Sequence, residues 1–299
     1  MSAVAQVPVR LWIVAARPRT LPAAVAPVLV GTALAGYQDV FHSVRFVCAL
    51  VASVFIQIGT NLANDYSDAR RGADTEDRLG PVRVTAGGLM PPRRVLIGTW
   101  VAFGIAVAAG LYLVAVAGWQ LLLVGFASIA AGVLYTGGPR PYGYDGLGEL
   151  FVFLFFGVVA VGGSYYVQTR SLRWEAVALA VPIGLLAAAI LVVNNVRDID
   201  TDRRAGKRTL AVRLGRPRAR RLYAVMLAVA FLSPVAVAAA GGLSWYVLLP
   251  LLAAPMALPL VRAVGTRTDG PSLNAALAGT GKLLAVYAIL LSVGVLMST

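Results

Sequence analysis

The sequence predicts an all-α polytopic membrane protein. Hydrophobic residues make up 59% of the 299 positions and charged residues only 13%. The mean hydropathy of +0.79 is too high for a water-soluble domain. The charged residues cluster between long apolar runs, and these runs lack the polar–apolar alternation that a membrane β-barrel requires. Helices are therefore the expected spanning structure.

Nine of the apolar runs have roughly the 17–25 residues that a transmembrane helix needs. We therefore predict nine transmembrane helices within a single membrane-embedded domain that covers residues 1–299. The predicted spans lie at about 20–37, 44–64, 95–116, 119–135, 148–167, 176–196, 222–240, 244–262 and 275–297.

The first run also has features of a cleavable signal peptide, because arginines precede it and it ends near Ala33-Leu34-Ala35. However, Pro22 and Pro27 interrupt it, and Arg17-Pro18-Arg19-Thr20 is suited to the entry into a helix. We therefore expect a retained first helix, with Arg17 and Arg19 either anchoring it or attracting an acidic substrate.

Basic residues are distributed unequally between the two sides of a nine-helix topology. Most of the 26 lysines and arginines lie in the N-terminal segment or in the connections around 65–94, 136–147, 197–221 and 262–274. The exceptions are Arg45, Arg170, Arg173 and Lys282. Because basic residues favour the cytoplasmic side, we predict a cytoplasmic N-terminus, an external C-terminus and a site that faces the cytoplasm of the cell.

The net charge of +13 is accounted for by this topology and by attraction to anionic lipid headgroups in the bilayer. Nucleic acid is therefore not an expected partner. The single cysteine, Cys48, rules out a disulfide within the chain, and the single histidine, His42, rules out a cluster of histidine ligands. The sequence contains no glycine-rich phosphate loop.

Acidic residues close two of the predicted membrane helices, where charges are costly. At the end of the second span, Asn61, Asp65 and Asp68 are spaced so that they share one helical face. The end of the sixth span repeats this pattern with Asn194, Asp198 and Asp202. We expect the two faces to form one site, and we expect Asp200, which points off the shared face, to pair with an arginine instead.

The two acidic faces predict a magnesium site. Mg²⁺ prefers oxygen ligands and typically takes one or two carboxylates together with phosphate oxygens, so these faces suit two ions around a diphosphate. The predicted ligands, which we also expect to be catalytic, are Asp65, Asp68, Asp198 and Asp202. Asn61 and Asn194 either contact the diphosphate or an ion, or form hydrogen bonds between helices.

Basic side chains near the two motifs are the expected diphosphate partners, because arginine and lysine are the usual ligands of phosphate. Lys207 and Arg208 follow Gly206, where the chain can turn back toward the site. Arg71 and Arg83 follow the first motif. We expect Lys282, an intramembrane lysine, either to bind an acidic substrate, to snorkel or to pair with an aspartate.

At these residues the sequence resembles the UbiA superfamily of intramembrane aromatic prenyltransferases. The family pattern Asn-x-x-x-Asp-x-x-Asp matches Asn61, Asp65 and Asp68, and the second pattern matches Asn194, Asp198 and Asp202. The resemblance covers nearly the whole chain and implies a nine-helix UbiA-type bundle with cytoplasmic cap loops.

Within the superfamily the chain is similar to the branch that prenylates 1,4-dihydroxy-2-naphthoate. The matching passages are 16–22, 64–75, 79–83, 135–142 and 198–215. The resemblance implies Mg²⁺-dependent transfer from a polyprenyl diphosphate to dihydroxynaphthoate, with loss of CO₂, to give demethylmenaquinone. It leaves open the length of the prenyl chain, the oligomeric state and other acceptors such as 4-hydroxybenzoate or homogentisate.

Two positions depart from the broad family pattern. A further aspartate is expected four residues after Asp68, but the next acid is Asp74. The family's Tyr-x-x-x-Lys is replaced by Tyr135 and Arg140, so we expect Arg140 to contact the diphosphate and Tyr135 to orient the diphosphate or the acceptor. The main alternative from another class is a secondary transporter, in which membrane carboxylates bind coupling ions.

Overall fold

The computed structural model describes residues 7–73 and 79–298, and within these ranges the regular secondary structure is entirely helical. In chain order the helices are α1 (Val9–Ala16), α2 (Pro22–Gly36), α3 (Ser43–Arg70), α4 (Pro92–Ala117), α5 (Gln120–Leu134), α6 (Gly148–Thr169), α7 (Trp174–Arg204), α8 (Leu210–Leu214), α9 (Arg216–Ala239), α10 (Trp245–Thr266) and α11 (Gly270–Leu296). The α6 helix contains a π-helical stretch, Phe153–Val159, and α10 begins with 3₁₀ turns at Trp245–Ala253.

Seven helices in the described part of the chain are long and apolar enough to cross a membrane: α3, α4, α6, α7, α9, α10 and α11. This confirms the all-α membrane fold but not the predicted number of nine. The 119–135 run forms only the 15 residues of α5, which is about 22 Å and shorter than a bilayer core of roughly 30 Å. The 20–37 run forms the 15 residues of α2, bent by 55° from the preceding Val9–Thr20 segment.

The bend before α2 is a property of the local sequence. Arg17 adopts a left-handed backbone conformation with φ of 54°, and Pro18–Thr20 then form one 3₁₀ turn. Pro22 occupies the first position of α2, where its fixed φ and missing N–H cost nothing. The predicted helix entry at residues 17–20 is therefore a corner, which brings Arg17 and Thr20 to the α3 helix.

The α7 helix forms the centre of the bundle. Within an apolar stretch of 18 residues, 72% of the residues of α7 are buried, compared with 28% in α3. Leu186 and Val193 of α7 are fully buried, together with Tyr287 and Leu291 of α11. Both α3 and α7 continue beyond their apolar runs, so each polar motif stays helical and rigid.

Candidate active site

A cavity of about 590 Å³ lies between the helices, and both polar motifs contribute to its wall. At its deep end the wall is apolar and includes Ala49, Leu113, Leu121 and Val167. At the opposite end the wall is polar, and its members from the two motifs and the following turn are Asn61, Asn64, Asp68, Asn194, Asn195, Asp198, Asp202 and Lys207. The sequence therefore brings charged groups and a long apolar space into one continuous site.

Asp68 is the acidic residue of the first motif that faces the cavity, and it is surrounded by donors. Its carboxylate accepts a hydrogen bond of 2.6 Å from the Tyr144 hydroxyl. Arg83 Nη2 lies 3.6 Å away and Lys207 Nζ lies 3.9 Å away. Lys207 also lies over the ring of Tyr144, 4.7 Å from its centroid, so a hydroxyl group and two cations surround this carboxylate.

Asp65 has a different environment from the one that we expected. Its two carboxylate oxygens accept backbone N–H groups of Val84 (3.2 Å) and Thr85 (2.9 Å). It is 2% exposed and is not part of the cavity wall. Helical periodicity placed Asp65 beside Asp68, but it could not reveal that a later loop folds back and uses both of its oxygens.

The residues of the second motif are connected by an arginine that the sequence analysis did not single out. Arg197 is 1% exposed and forms a bidentate pair with Asp198, with Nη2–Oδ2 and Nε–Oδ1 distances of 2.6 and 2.8 Å. It also donates to Asn194 Oδ1 at 2.7 Å and to Asn274 Oδ1 at 2.6 Å. The signal in the sequence is an arginine embedded in an acidic motif, which by position alone is indistinguishable from a topological charge.

The two asparagines make structural contacts as well as lining the cavity. Asn61 donates through Nδ2 to the Ala16 carbonyl (2.9 Å) and to Thr20 Oγ1 (3.2 Å), which fastens the corner before α2 to α3. Asn194 accepts from Arg197. Asn61 therefore forms hydrogen bonds to the segment before α2, as one of its two predicted alternatives required. Asn194 lies beside Arg197 and Asp198 in the second motif.

Four of the predicted basic ligands do not reach the cavity wall. Arg140 and Arg208 are exposed, and exposed Arg71 donates to the Gly138 carbonyl. Lys282 is exposed between two buried residues of α11, so helical geometry directs it to the outside of the bundle. Asp74 lies outside the described residues.

Lys207 and Arg83, by contrast, do reach the cavity. Gly206 precedes Lys207 with φ of +74°, a conformation that glycine adopts without a steric penalty, and it turns the chain back over the site. Arg216 pairs with Asp200 at 2.7 Å, which confirms the arginine partner expected for that off-face acid.

An aromatic wall lies next to the polar end, and only Tyr135 of its members was predicted. The Tyr135 and Tyr142 rings meet edge to face at 5.5 Å, and Tyr142 stacks on Phe151 at 4.1 Å. Phe151 is followed by Phe155 at 6.1 Å, and all four rings line the cavity. Burial raises the pKa of the Tyr142 phenol, so this group stays neutral and donates to the Ala131 carbonyl at 2.9 Å.

This combination defines a class: a helical membrane protein in which an acidic and basic site opens into an apolar, partly aromatic cavity. Comparison with known proteins specifies the class further. The model of the UbiA prenyltransferase family matches residues 24–285, and the chain belongs to that family. It is accordingly a prenyltransferase of the membrane.

Two relatives show how close the similarity is. The 1,4-dihydroxy-2-naphthoate octaprenyltransferase of Mycobacterium tuberculosis (strain ATCC 25618 / H37Rv) is 45% identical over 278 residues, which is 93% of this chain and 94% of that protein. The protein of the same name from Escherichia coli (strain K12) is 40% identical over 296 residues, covering 96% and 95% of the two chains.

Solved structures share the fold at much lower identity. The structure of a UbiA homolog from Archaeoglobus fulgidus bound to Cd²⁺ gives a TM-score of 0.68 at 17% identity, over 95% of this chain and 99% of that one. The same homolog bound to GPP and Mg²⁺ gives a TM-score of 0.66 at 15% identity, over 96% and 99% of the two chains.

Proposed function

We propose that this prenyltransferase transfers a polyprenyl group from a polyprenyl diphosphate to 1,4-dihydroxy-2-naphthoate, with loss of CO₂ and diphosphate, to give demethylmenaquinol, the hydroquinone from which demethylmenaquinone forms by oxidation. The observation that carries the proposal is the continuous cavity, whose charged end suits a diphosphate and whose apolar length suits a prenyl tail. Similarity to dihydroxynaphthoate octaprenyltransferases along nearly the whole chain supports this choice of acceptor.

Lys207 and Arg83 are the proposed diphosphate ligands, since both cations lie at the polar end next to Asp68. In the described part of the chain, no group of three or more Asp, Glu, His or Cys residues is arranged to hold a metal ion alone. This agrees with the preference of Mg²⁺ for one or two carboxylates plus substrate phosphate oxygens. Asp68 and Asp202, with Asp198 beside them, are the oxygen donors that would hold Mg²⁺ there.

Bound Mg²⁺ would neutralise the diphosphate and so make it a better leaving group. The bond between the first prenyl carbon and the diphosphate oxygen breaks, and the diphosphate leaves with the electron pair. The ring carbon that carries the carboxylate then forms the new carbon–carbon bond. As CO₂ leaves, the electrons of its bond return to the ring.

The aromatic wall and the apolar cavity are proposed to protect the allylic cation. The faces of Tyr142, Phe151 and Phe155 offer electron-rich surfaces to a positive charge, and the surrounding apolar side chains keep water away from it. A neutral Tyr142 supplies this surface without a formal negative charge that would capture the cation.

We further propose that α2 and α5 complete nine membrane crossings, with the polar end of the cavity at the cytoplasm. Lys207 follows α7 and lies 3.9 Å from Asp68 at the end of α3. These two helix ends share one side only if an even number of crossings separates them, which requires α5 to cross together with α4, α6 and α7. The abundance of basic residues in the connections on that side supports its cytoplasmic location.

The decisive experiment incubates the purified protein in detergent with dihydroxynaphthoate, Mg²⁺ and prenyl diphosphates of several lengths, an octaprenyl diphosphate included. We expect a prenylated and decarboxylated product by mass spectrometry. Transfer to 4-hydroxybenzoate in preference to dihydroxynaphthoate would overturn the assignment of the acceptor.

A matched pair of variants tests whether the cavity performs the transfer. We expect Lys207→Met to raise the KM for prenyl diphosphate about tenfold or more, since a charge-assisted hydrogen bond is worth roughly 1.5–3 kcal/mol. Arg208→Met removes a neighbouring charge that is exposed, and we expect it to leave the KM nearly unchanged. Equal effects of both substitutions would mean that the diphosphate binds outside the cavity.

A further inference from the structure

The described residues 79–90, which we call the cap segment, lie between α3 and α4 and bring Arg83 to the polar end of the cavity. Their backbone forms internal turns, with hydrogen bonds of 2.9 Å from the Gly87 N–H to the Arg83 carbonyl and from the Met90 N–H to the Val84 carbonyl. Val84 and Met90 are fully buried and pack with Ala15 and Leu62. The cap segment is thus a built element of the fold.

Two polar attachments fix the cap segment on either side of Arg83. On one side, Asp65 accepts the N–H groups of Val84 and Thr85. On the other, Asn274 of α11 donates through Nδ2 to the Leu79 carbonyl at 3.0 Å. Arg83 therefore lies between two fixed points.

The attachment at Leu79 continues into the second motif. The Oδ1 atom of Asn274 accepts a hydrogen bond of 2.6 Å from Arg197 Nη1, and the same guanidinium holds Asp198 in a bidentate pair. Only an amide with its nitrogen toward Leu79 and its oxygen toward Arg197 satisfies both partners. An unbroken chain of contacts thus runs from Asp198 through Arg197 and Asn274 to the cap segment.

The backbone of α11 is shaped for this contact. A Cβ atom at Gly270 would lie 2.9 Å from the Leu79 carbonyl oxygen, so glycine lets the cap segment lie directly against the start of α11. Asp269 caps the helix by accepting the Ser272 N–H at 2.8 Å. The start of α11 is consequently a fixed support for Leu79.

We infer that Asn274 and Arg197 are positioning residues for diphosphate binding: they connect the second acidic motif to the cap segment and thereby hold Arg83 toward Asp68. The inference rests on the proposed function only for the identity of the diphosphate substrate. Arg83 lies 3.6 Å from Asp68, so a displacement of the cap segment would remove a cation from the polar end of the cavity. Neither positioning residue needs to touch the substrate.

We call the contacts from Asp198 through Arg197 and Asn274 to Leu79 the relay. The variant Asn274→Asp removes the contact with Leu79 and keeps the contact with Arg197. An aspartate still accepts from Arg197 but has no N–H to donate to the Leu79 carbonyl. We expect the KM for prenyl diphosphate to rise about threefold to tenfold, the scale of one lost protein hydrogen bond, while the KM for dihydroxynaphthoate stays within about twofold of its original value. Ala275→Asp places the same charge on the next, exposed residue and should change neither constant.

A double-mutant cycle decides whether Asn274 acts through Arg83. We expect Arg83→Met to raise the KM for prenyl diphosphate on its own, and Asn274→Asp to add little in that background. Full additivity of the two effects would overturn the inference, because a residue that acts only on general stability has no reason to depend on Arg83.

Hydrogen exchange provides a readout that needs no activity. We expect Asn274→Asp to speed the exchange of the amides at Val84 and Thr85, while the amides of α9 keep their rates. Unchanged exchange in the cap segment would refute the relay, whatever the kinetics. If exchange accelerates but the parent protein does not prenylate dihydroxynaphthoate, the relay stands and the proposed function is what fails.

Discussion

The two polar motifs share one sequence pattern but have different surroundings. Residues 61–68 lie at the end of α3, a helix on the side of the bundle, whereas residues 194–202 lie at the end of the central α7 helix. In the first motif Asp65 holds backbone N–H groups of the cap segment. In the second motif Asp198 holds the buried Arg197 side chain.

The first motif divides its carboxylates between two tasks, and the second does so in part. The first aspartate of each pair accepts strong hydrogen bonds from the protein itself, which orients a neighbouring element. The second, Asp68 or Asp202, lines the cavity, and Asp198, unlike Asp65, lines it as well as holding Arg197. The difference between the motifs is the nature of the first partner: the neutral backbone of the cap segment for Asp65 and the Arg197 cation for Asp198.

The largest expected effect comes from the aspartates that line the cavity. We expect Asp68→Asn to lower kcat/KM by about 10²- to 10³-fold, the scale for removing one preorganised electrostatic contact in an active site. Asp65→Asn should lower it by only about 10- to 100-fold, the scale for a residue that orients a ligand without touching it. Steady-state kinetics with saturating Mg²⁺ measure both.

The ranking of these two variants is what tests the division of tasks. If Asp65→Asn proved as damaging as Asp68→Asn and shifted the Mg²⁺ concentration needed for activity just as far, both aspartates would be metal ligands. Amide exchange at Val84 and Thr85 supplies the control, because Asp65→Asn should speed it and Asp68→Asn should not.

The second expected effect is on stability and is specific to α7. Arg197→Met leaves Asp198 as an uncompensated charge in a buried position, and breaking such a pair costs about 3–5 kcal/mol. We expect a clearly lower midpoint of thermal unfolding in detergent. Replacing both members, as in Arg197→Met with Asp198→Leu, should recover most of the loss, and a double variant that is no more stable than the single one would contradict this account.

The sequence predicted the apolar segments well because membrane helices follow directly from long runs of apolar residues. Periodicity also placed Asp68 and the three polar residues of the second motif on the cavity side, but it placed Asp65 there too, and Asp65 is not part of the cavity wall. The sequence did not predict the partners of Asp65 and Arg197, and it left open whether Lys282 faces the inside or the outside of the bundle. Those depend on where a distant loop returns, as for Val84, or on which side of a helix faces the bundle, and neither property is encoded in local spacing.

The same limit applies to the length of α5. α5 has a clearly apolar sequence, but its helix stops at Leu134 because the chain turns there: Gly137 donates to the Val133 carbonyl and Tyr142 returns to the Leu134 carbonyl. This turn carries Tyr142 and Tyr144 into the site. Hydropathy registers the run of apolar residues but not the turn that shortens it.

The smallest expected effect concerns the third carboxylate of the second motif. Asp200 lies two residues from Asp198 but pairs with Arg216 at 2.7 Å, and its side chain is 64% exposed. An exposed ion pair contributes roughly 0–1 kcal/mol, so Asp200→Asn should shift the unfolding midpoint little and keep kcat/KM within about twofold. Asp202→Asn, two residues further along the same helix and on the cavity wall, should resemble Asp68→Asn instead. A comparable loss of activity in Asp200→Asn and Asp202→Asn would mean that the total charge at the helix end matters more than the face on which each carboxylate lies. The division of tasks within the motifs would then be wrong.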